Sequence, residues 1–372
     1  MTMERVGILL DSSILRGIPA GKTGQESLAC YEIAASSYGL TACYLRLEDV
    51  DLITGKCMAY IRKGTRYQMH HIEIPQVIHN RAMHFSRISH YLIAGLIQRG
   101  VYIFNVRNRY GKDEIYRLLM RNAELASHLP ESELASLQTI QRMLERHNDL
   151  ILKPVSSSIG KGIMRMIHDN GNGKLMMSSA SYNKQDYQPI KKGILPPGLY
   201  ARIREKNYLV QARIPLATYE GRPFDLRVSV QRGSMGCWRV TGMYAKIASL
   251  NHFVTNVAQG GMTLPYEVLH PLVLPSHSLT AVVDQIHHLA ITAAQHLSLT
   301  LPRLADLGFD IGLTSQGEIY FIECNGRDQR YGFRKAGMEK EWLESYKTPL
   351  SYARFLFDQP KLSSDSPYAD LR

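Results

Sequence analysis

Cysteine is scarce and scattered in this chain of 372 residues: Cys30, Cys43, Cys57, Cys237 and Cys324 form no C-x-x-C pair. A zinc ribbon and a dithiol redox motif are thereby excluded, and a reducing compartment suits the protein. No apolar run approaches the roughly 20 residues that a membrane helix needs. Strand signal begins at once with Val6-Gly7-Ile8-Leu9-Leu10, so no signal peptide is expected and a cytoplasmic location is the first expectation. The net charge is +11, yet no Lys/Arg block is long enough to read as a nucleic-acid tail. Spread cations argue against nucleic acid and suit polyanionic ligands such as nucleotides or acidic peptides. Internal repeats and low-complexity blocks are absent, as is any Ser/His/Asp or Cys/His grouping, which leaves no protein nucleophile of the triad kind.

What is present is an ordinary globular composition, 45% hydrophobic and 21% charged, in a chain too long for one core. The first ~110 residues alternate strand and helix signals. Strands are expected at Val6–Leu10, Thr41–Leu47, Met58–Arg62, Gln76–Asn80 and Val101–Val106, with helices at Gln25–Tyr38 and Ser89–Gln98. This reads as an α/β domain, residues 1–110, with parallel strands. A helical stretch follows from Lys112 to His147, broken at Leu129-Pro130-Glu131-Ser132-Glu133 by a fresh helix start. Strands then dominate: Leu150–Lys153, Gly162–Ile167, Lys174–Ser178, Tyr208–Ile214, Phe224–Gln231 and Trp238–Ala248. A long helix at Ser278–Leu297 precedes a hairpin, Phe309–Leu313 with Glu318–Glu323. A second unit is expected over 111–360, including a subdomain at about 148–210, and a loose tail over 361–372.

Several constellations carry chemistry. Gly21-Lys22-Thr23 follows a strand as a P-loop would, but G-x-x-x-x-G-K-[ST] needs glycine where Arg16 stands, and Gly17 is out of register. Gly17–Gly24 and the strand end Asn80-Arg81 are left as candidate substrate contacts. Lys153 ends a buried strand and is followed by Val155-Ser156-Ser157-Ser158-Ile159-Gly160-Lys161-Gly162. A buried lysine beside a Ser/Gly loop suits a nucleotide's phosphates; the same lysine also reads as one that reaches water. Tyr208–Pro215 reads as a strand running into a linker, where Gln211 could meet an adenine edge. Alternation puts Asp225 and Arg227 on one face of Phe224–Val228, with Lys246 on a neighbouring strand; an anion-binding face and a surface ion pair both fit. In the hairpin, a two-residue turn at Gln316-Gly317 would set Asp310 opposite Glu323, with Asn325 following on that face. Two opposed carboxylates repel, and Mg²⁺ would resolve the conflict with oxygen ligands. The alternative is a protonated carboxylate or one paired with Arg327 or Arg330.

The order of these pieces resembles the ATP-grasp superfamily. More closely, the chain resembles the YheC/YheD group of endospore coat-associated ATP-grasp proteins. That resemblance rests on Leu152-Lys153-Pro154 with its loop, Phe224-Asp225-Leu226-Arg227-Val228, Trp238, Asn256-Val257-Ala258-Gln259-Gly260-Gly261 and Glu323-Cys324-Asn325-Gly326, and it runs over most of the chain. It implies an α+β ATP-grasp fold, an N-terminal α/β domain followed by two subdomains that clasp ATP. It implies that Lys112, Lys153 and the loop residues Ser156, Ser157, Ser158, Gly160, Lys161 and Gly162 hold phosphates. Gln211, Ala212 and Ile214 would cradle adenine. Arg227 and Lys246 would face the transferred phosphoryl group, with Asn256 and Gly260-Gly261 lining the centre. Asp310, Glu323 and Asn325 would ligate Mg²⁺; strand alternation points Cys324 to the opposite face, into the core. The implied activity is ATP- and Mg²⁺-dependent ligation of a carboxylate to an amine, on small-molecule or peptide substrates, in sporulation or in peptide or amide biosynthesis. A spore-coat structural protein that keeps the fold, and an ATP-grasp kinase, are the alternatives. Spore-coat association is a further expectation, with no membrane contact.

Overall fold

A computed structural model of the chain describes residues 4–157, 160–169, 174–179, 188–190, 197–257 and 260–359. Ser158, Ile159, Ala258, Gln259 and the expected tail 361–372 lie outside them. Three sheets organise the molecule. In the first, Leu40–Leu45, Glu4–Leu9, Val77–Asn80 and Tyr102–Phe104 run parallel. This is the arrangement expected of short Val/Ile/Leu-rich runs buried on both faces. An antiparallel hairpin, Lys56–Lys63 with Arg66–Glu73, extends one edge. Its second strand, polar and largely exposed, gave no apolar alternation to read. The helices Leu28–Ser37 and Arg87–Gln98 match the expected ones, each capped by a serine, Ser27 and Ser86.

The middle sheet runs Gln188–Ile190, Lys174–Ser179, Met164–Asp169, Asp149–Pro154, Tyr208–Ala212 and Ser132–Leu134, all antiparallel. The last strand corrects the sequence reading, which took this stretch for a helix start. The start comes later, at Leu137, where Ser136 and Thr139 form a reciprocal capping box. Ser132–Leu134 instead covers the outer edge of Tyr208–Ala212, whose backbone it pairs at Leu209, Val210 and Gln211.

In the third sheet, Met262–Pro265, Trp238–Ile247, Arg222–Arg232, Asp306–Leu313 and Ile319–Asn325 are antiparallel neighbours. One face is apolar. Phe224, Leu226, Val228 and Val230 pack there with Phe309, Ile311 and the long helix Leu279–Ser298. The other face carries Asp225, Arg227, Ser229 and Gln231, all buried. These are no surface residues: the helices Tyr331–Lys335 and Glu339–Asp358 cover part of that face. Among the described residues, no helix is long and apolar enough to cross a membrane.

The helix Glu339–Asp358, unmarked in the sequence because Pro349 interrupts its pattern, binds the first sheet to the third. Tyr346, Leu350, Tyr352 and Ala353 enter the core of the first sheet. Proline lacks the N–H that would bond the carbonyl four residues back. That carbonyl, Ser345 O, accepts from Gln231 Nε2 at 2.9 Å. Gln231 Nε2 also donates to Asp306 Oδ1 (2.7 Å). On its other oxygen Asp306 meets His79 Nε2 (3.1 Å), Arg81 Nη1 (3.1 Å) and Arg330 Nη2 (2.5 Å). Burial alone would raise the Asp306 pKa, but the Arg330 charge, the His79 hydrogen bond and the Arg81 charge hold it well below the ordinary carboxylate range. Burial pushes His79 down to about 4, against the pull of Asp306, so it donates as a neutral ring.

Removing the Asp306 charge should therefore strand two buried guanidinium groups. Asp306→Asn is expected to cost about 3–5 kcal/mol at pH 7, seen as a lowered thermal midpoint. The depressed Asp306 pKa gives stability above about pH 4 that fades below it, and the depressed His79 pKa removes stability as pH falls from about 6.5 to 4. The wild-type midpoint should drop across this window, and below about pH 4, where the Asp306 carboxylate itself titrates, Asp306→Asn should show the shallower limb.

Candidate active site

A cleft opens between the middle and third sheets, lined among others by Tyr110, Lys112, Lys153, Gln211, Phe321 and Glu323. Lys153 lies on the Asp149–Pro154 strand, 6% exposed. Its Nζ donates to Gln211 Oε1 (3.0 Å), and Gln211 Nε2 donates to Ser132 Oγ (2.6 Å). Burial, then the nearby Lys112 charge, brings the Lys153 pKa down to about 8. The lysine thus stays inside; it does not reach water. Its neighbouring loop turns on two glycines with positive φ, Gly160 (66°) and Gly162 (80°). A Cβ on Gly162 would sit 3.0 Å from both Pro154 and the Tyr208 hydroxyl, so that turn needs glycine on both counts.

Lys112 opens the helix Lys112–Leu119. Its Nζ donates to Ser157 O in the loop (3.2 Å) and to Glu323 Oε1 (2.8 Å). One side chain thereby links the loop of the middle sheet to the hairpin of the third. The Gln211 carboxamide, read as an adenine contact, is held between Lys153 and Ser132. Ala212 and Ile214 are half-buried just beyond, and Ile214 O accepts from Leu216 N (2.9 Å) in a tight turn.

The hairpin places Asp310 opposite Glu323, as expected, by a different route. Its turn has three residues: Thr314 N–H donates to Glu318 O (2.9 Å), and Gly317 takes φ +80°. That shifts the pairing by one, to Ile311 with Phe321. A bulge between Asp310 and Ile311 then leaves Ile322 unpaired and restores the expected register. The bulge also breaks the alternation. Phe321 and Cys324 both turn inward, while Glu323 and Asn325 are partly exposed. Cys324 is a core residue, and burial pushes its thiol pKa far up.

Each carboxylate has its own cation, which corrects the premise of unrelieved repulsion. Asp310 Oδ1 meets Arg227 Nε (2.7 Å) and Lys246 Nζ (2.9 Å), whereas Glu323 meets Lys112. Burial would raise Asp310, but Arg227 and then Lys246 hold it well below the usual range. The arginine at Asp310 is neither Arg327, which pairs with Asp11 (2.9 Å), nor Arg330, which pairs with Asp306. Lys246 also meets Asp225 Oδ1 (3.1 Å). Burial pushes Asp225 up to about 6 despite that lysine, and Thr255 Oγ1 donates to its other oxygen. Asn256 is half-buried next to it, and its carbonyl accepts from Gly261 N–H (3.1 Å). A Cβ on Gly261 would clash with Ile247 O at 2.7 Å and Asn256 O at 2.8 Å.

Among the described residues no group of three or more His, Cys, Asp or Glu side chains is arranged to hold a metal ion, so a cation here would need Asn325 beside the two carboxylates. Asn325 Nδ2 is directed to Gly308 O (3.2 Å) and, at a long 3.5 Å, to Asp310 Oδ2. Asp310, Glu323 and Asn325 each carry side-chain oxygen of the kind Mg²⁺ takes. Two residues escaped the sequence reading. Ser132 holds Gln211 from a strand mistaken for a helix start. Asp328 orders Arg227 Nη1 (3.4 Å) and accepts from Ser229 Oγ; its signal was the run Arg327-Asp328-Gln329-Arg330, too polar to follow a buried strand without a role.

A family model described as YheC/D like ATP-grasp matches residues 100–356. The chain is 22% identical to the endospore coat-associated protein YheD of Bacillus subtilis (strain 168) over 69% of its own length, and spans 56% of that relative. It is 20% identical to the endospore coat-associated protein YheC of the same organism, covering 83% of this chain and 85% of the relative. Among solved structures it is similar to the ATP-grasp ligase PsnB complexed with a minimal precursor (TM-score 0.54, 13% identity, 95% and 99% of the two chains). It is also similar to the D-cycloserine synthetase DcsG (TM-score 0.53, 12% identity, 94% and 99%). At these identities the structural likeness establishes the ATP-grasp fold.

The Lys153–Gln211 bond makes a direct prediction. Gln211→Leu removes the acceptor that favours the ammonium form, so Lys153 should titrate below about 8. Its ¹³Cε chemical shift followed against pH, with Lys153→Met to assign the signal, reads this out. An unchanged midpoint would contradict it.

Proposed function

Because this chain belongs to the YheC/D-like ATP-grasp family, we propose that it is an ATP- and Mg²⁺-dependent ligase joining a carboxylate to an amine through an acyl phosphate. The observation that carries this reading is the Lys112 bridge. Phosphate-loop backbone and hairpin carboxylate meet on one ammonium, with Lys153 in the same cleft. A polyanion entering there exchanges with internal partners already in place.

In this reading Lys112, Lys153 and the loop residues Ser156, Ser157, Ser158, Gly160, Lys161 and Gly162 bind phosphates. The turn after Gln211, with Ala212 and Ile214, borders the adenine. Asp310, Glu323 and Asn325 hold Mg²⁺, which when bound neutralises phosphate charge. Arg227 and Lys246 add fixed positive charge where the γ-phosphoryl group passes to the acceptor carboxylate; Asn256 and the Gly260-Gly261 turn line that centre. The amine then attacks the acyl carbon and phosphate leaves. Positioning and charge suffice, as in other phosphoryl transfers. We assign residues 1–110 to acceptor binding and 111–360 to the ATP clasp. The names of the relatives support association with the spore coat, and we place the work in the cytoplasm of the sporulating cell. They equally favour a second reading, a coat protein that keeps the fold without turnover.

Calorimetry with MgATP separates these. Lys153→Ala should weaken binding by roughly tenfold to a hundredfold, the worth of a charge-assisted hydrogen bond of about 1.5–3 kcal/mol. Glu323→Ala should weaken the Mg²⁺ dependence. Since Lys153 is a cation below about pH 8 and neutral above it, wild-type affinity should fall as pH rises from 7 to 9, and Lys153→Arg should flatten that fall. Unchanged affinity in both alanine variants sinks the site assignment. ADP release on a panel of amino acids and acidic peptides distinguishes ligase from scaffold.

A further inference from the structure

A second cavity of about 820 Å³ lies apart from the nucleotide cleft. It runs between the loop that follows the first strand and the helix pair Tyr331–Lys335 and Glu339–Asp358. Thr23, Tyr67, Tyr331, Arg334, Lys335 and Trp342 are among its walls. Arg334 and Lys335 are exposed, and among the described residues neither joins an ion pair. Each rests over an aromatic ring: the Arg334 guanidinium lies 5.2 Å from the Trp342 ring centre, and Lys335 Nζ lies 5.3 Å from that of Tyr331. Stacking fixes such a cation without using its N–H donors. Glu26, the acidic residue at the floor, is buried and bound twice by Arg81, at 2.8 and 3.1 Å. The groove is therefore positive and aromatic.

A chain of contacts also joins it to the proposed reaction centre. Arg81 Nη2 donates to Asp328 O (2.8 Å), and Asp328 Oδ1 meets Arg227, which holds Asp310. The helix bearing Arg334 packs by Phe333 on Tyr244 (ring centres 4.9 Å apart), two residues from Lys246 on the same strand.

We propose that this groove binds an acidic peptide, its carboxylates on Arg334 and Lys335 and its chain against Tyr67 and Trp342. Calling that peptide the ligase's acceptor rests on the function proposed above; the binding itself does not. Two cations beside three aromatic rings suit side-chain carboxylates better than a phosphate backbone, which wants a row of cations.

The test is fluorescence anisotropy with labelled hexaglutamate, hexaglutamine and a thymidine hexamer, on the wild-type full chain and on Arg334→Glu/Lys335→Glu. Wild type should bind hexaglutamate, more weakly as salt rises. The double variant should lose at least about tenfold while its MgATP affinity by calorimetry is unchanged. The single changes Arg334→Ala and Lys335→Ala stand in if the double variant folds poorly. No hexaglutamate binding by wild type, equal binding by the variants, or an equal response to hexaglutamine or the thymidine hexamer overturns the groove. No MgATP binding by wild type, with hexaglutamate bound by wild type and lost by the double variant, would overturn the ligase reading and leave the groove standing.

Discussion

The structure turns on one buried carboxylate. Asp306 receives hydrogen bonds from His79 and Arg81 of the first sheet, from Gln231 of the third, and from Arg330 after the hairpin. A charge so far from water is tolerable only when its lone pairs are met and its countercharges fixed. Everything that meets it is thereby placed. Arg81 is held to reach Glu26 and the Asp328 carbonyl. Gln231 is held to reach the carbonyl that Pro349 frees, which seats the C-terminal helix across two sheets. A helix that seems spoiled by proline is thus fastened by it.

The same principle extends along the polar face of the third sheet. Strand alternation alone puts Asp225, Arg227, Ser229 and Gln231 on one side, and burial makes each of them find a partner. Gln231 serves the Asp306 end. Ser229 and Arg227 share Asp328, and Arg227 and Lys246 share Asp310. The face grades from a structural lock at one end to the candidate metal ligands at the other. The residues that fix the architecture and those proposed to act are successive members of one network.

Much of this was legible in the sequence. The parallel strands of the first sheet follow from the alternation of strand and helix signals, the faces of Phe224–Val228 and the interior position of Cys324 from period-2 patterns, and the Asp310–Glu323 pairing from that period with a turn. The last came out through two departures that cancel: a three-residue turn displaced the register, and the bulge at Ile322 restored it. Alternation cannot reveal a bulge, because the pattern on either side of it remains regular. Ser132–Leu134 was hidden for another reason. Three residues at a sheet edge bear no period, and Pro-Glu-Ser-Glu is what a helix start also looks like. The partners of the buried cations were out of reach: Arg327 and Arg330 follow the hairpin closely enough to serve Asp310, whereas the arginine that does so, Arg227, lies 83 residues away in the chain.

The internal pairs around the cleft bear on how it takes a ligand. Lys112, Lys153, Arg227 and Lys246 all have partners within the chain. Buried ion pairs add little net stability over neutral alternatives but lose much when one member is left alone. A site in which these four cations already have partners is stable without ligand, and exchanging Glu323 for a phosphate oxygen on Lys112 leaves no charge stranded if a divalent cation takes up the released carboxylate. Under the proposed function nucleotide and metal would favour one another: each alone would leave one member of the Lys112–Glu323 pair without its countercharge. In the proposed reading that coupling would reside in the 2.8 Å bond between the hairpin and Lys112, whose ammonium also meets the loop at Ser157 O, a contact that spans the cleft.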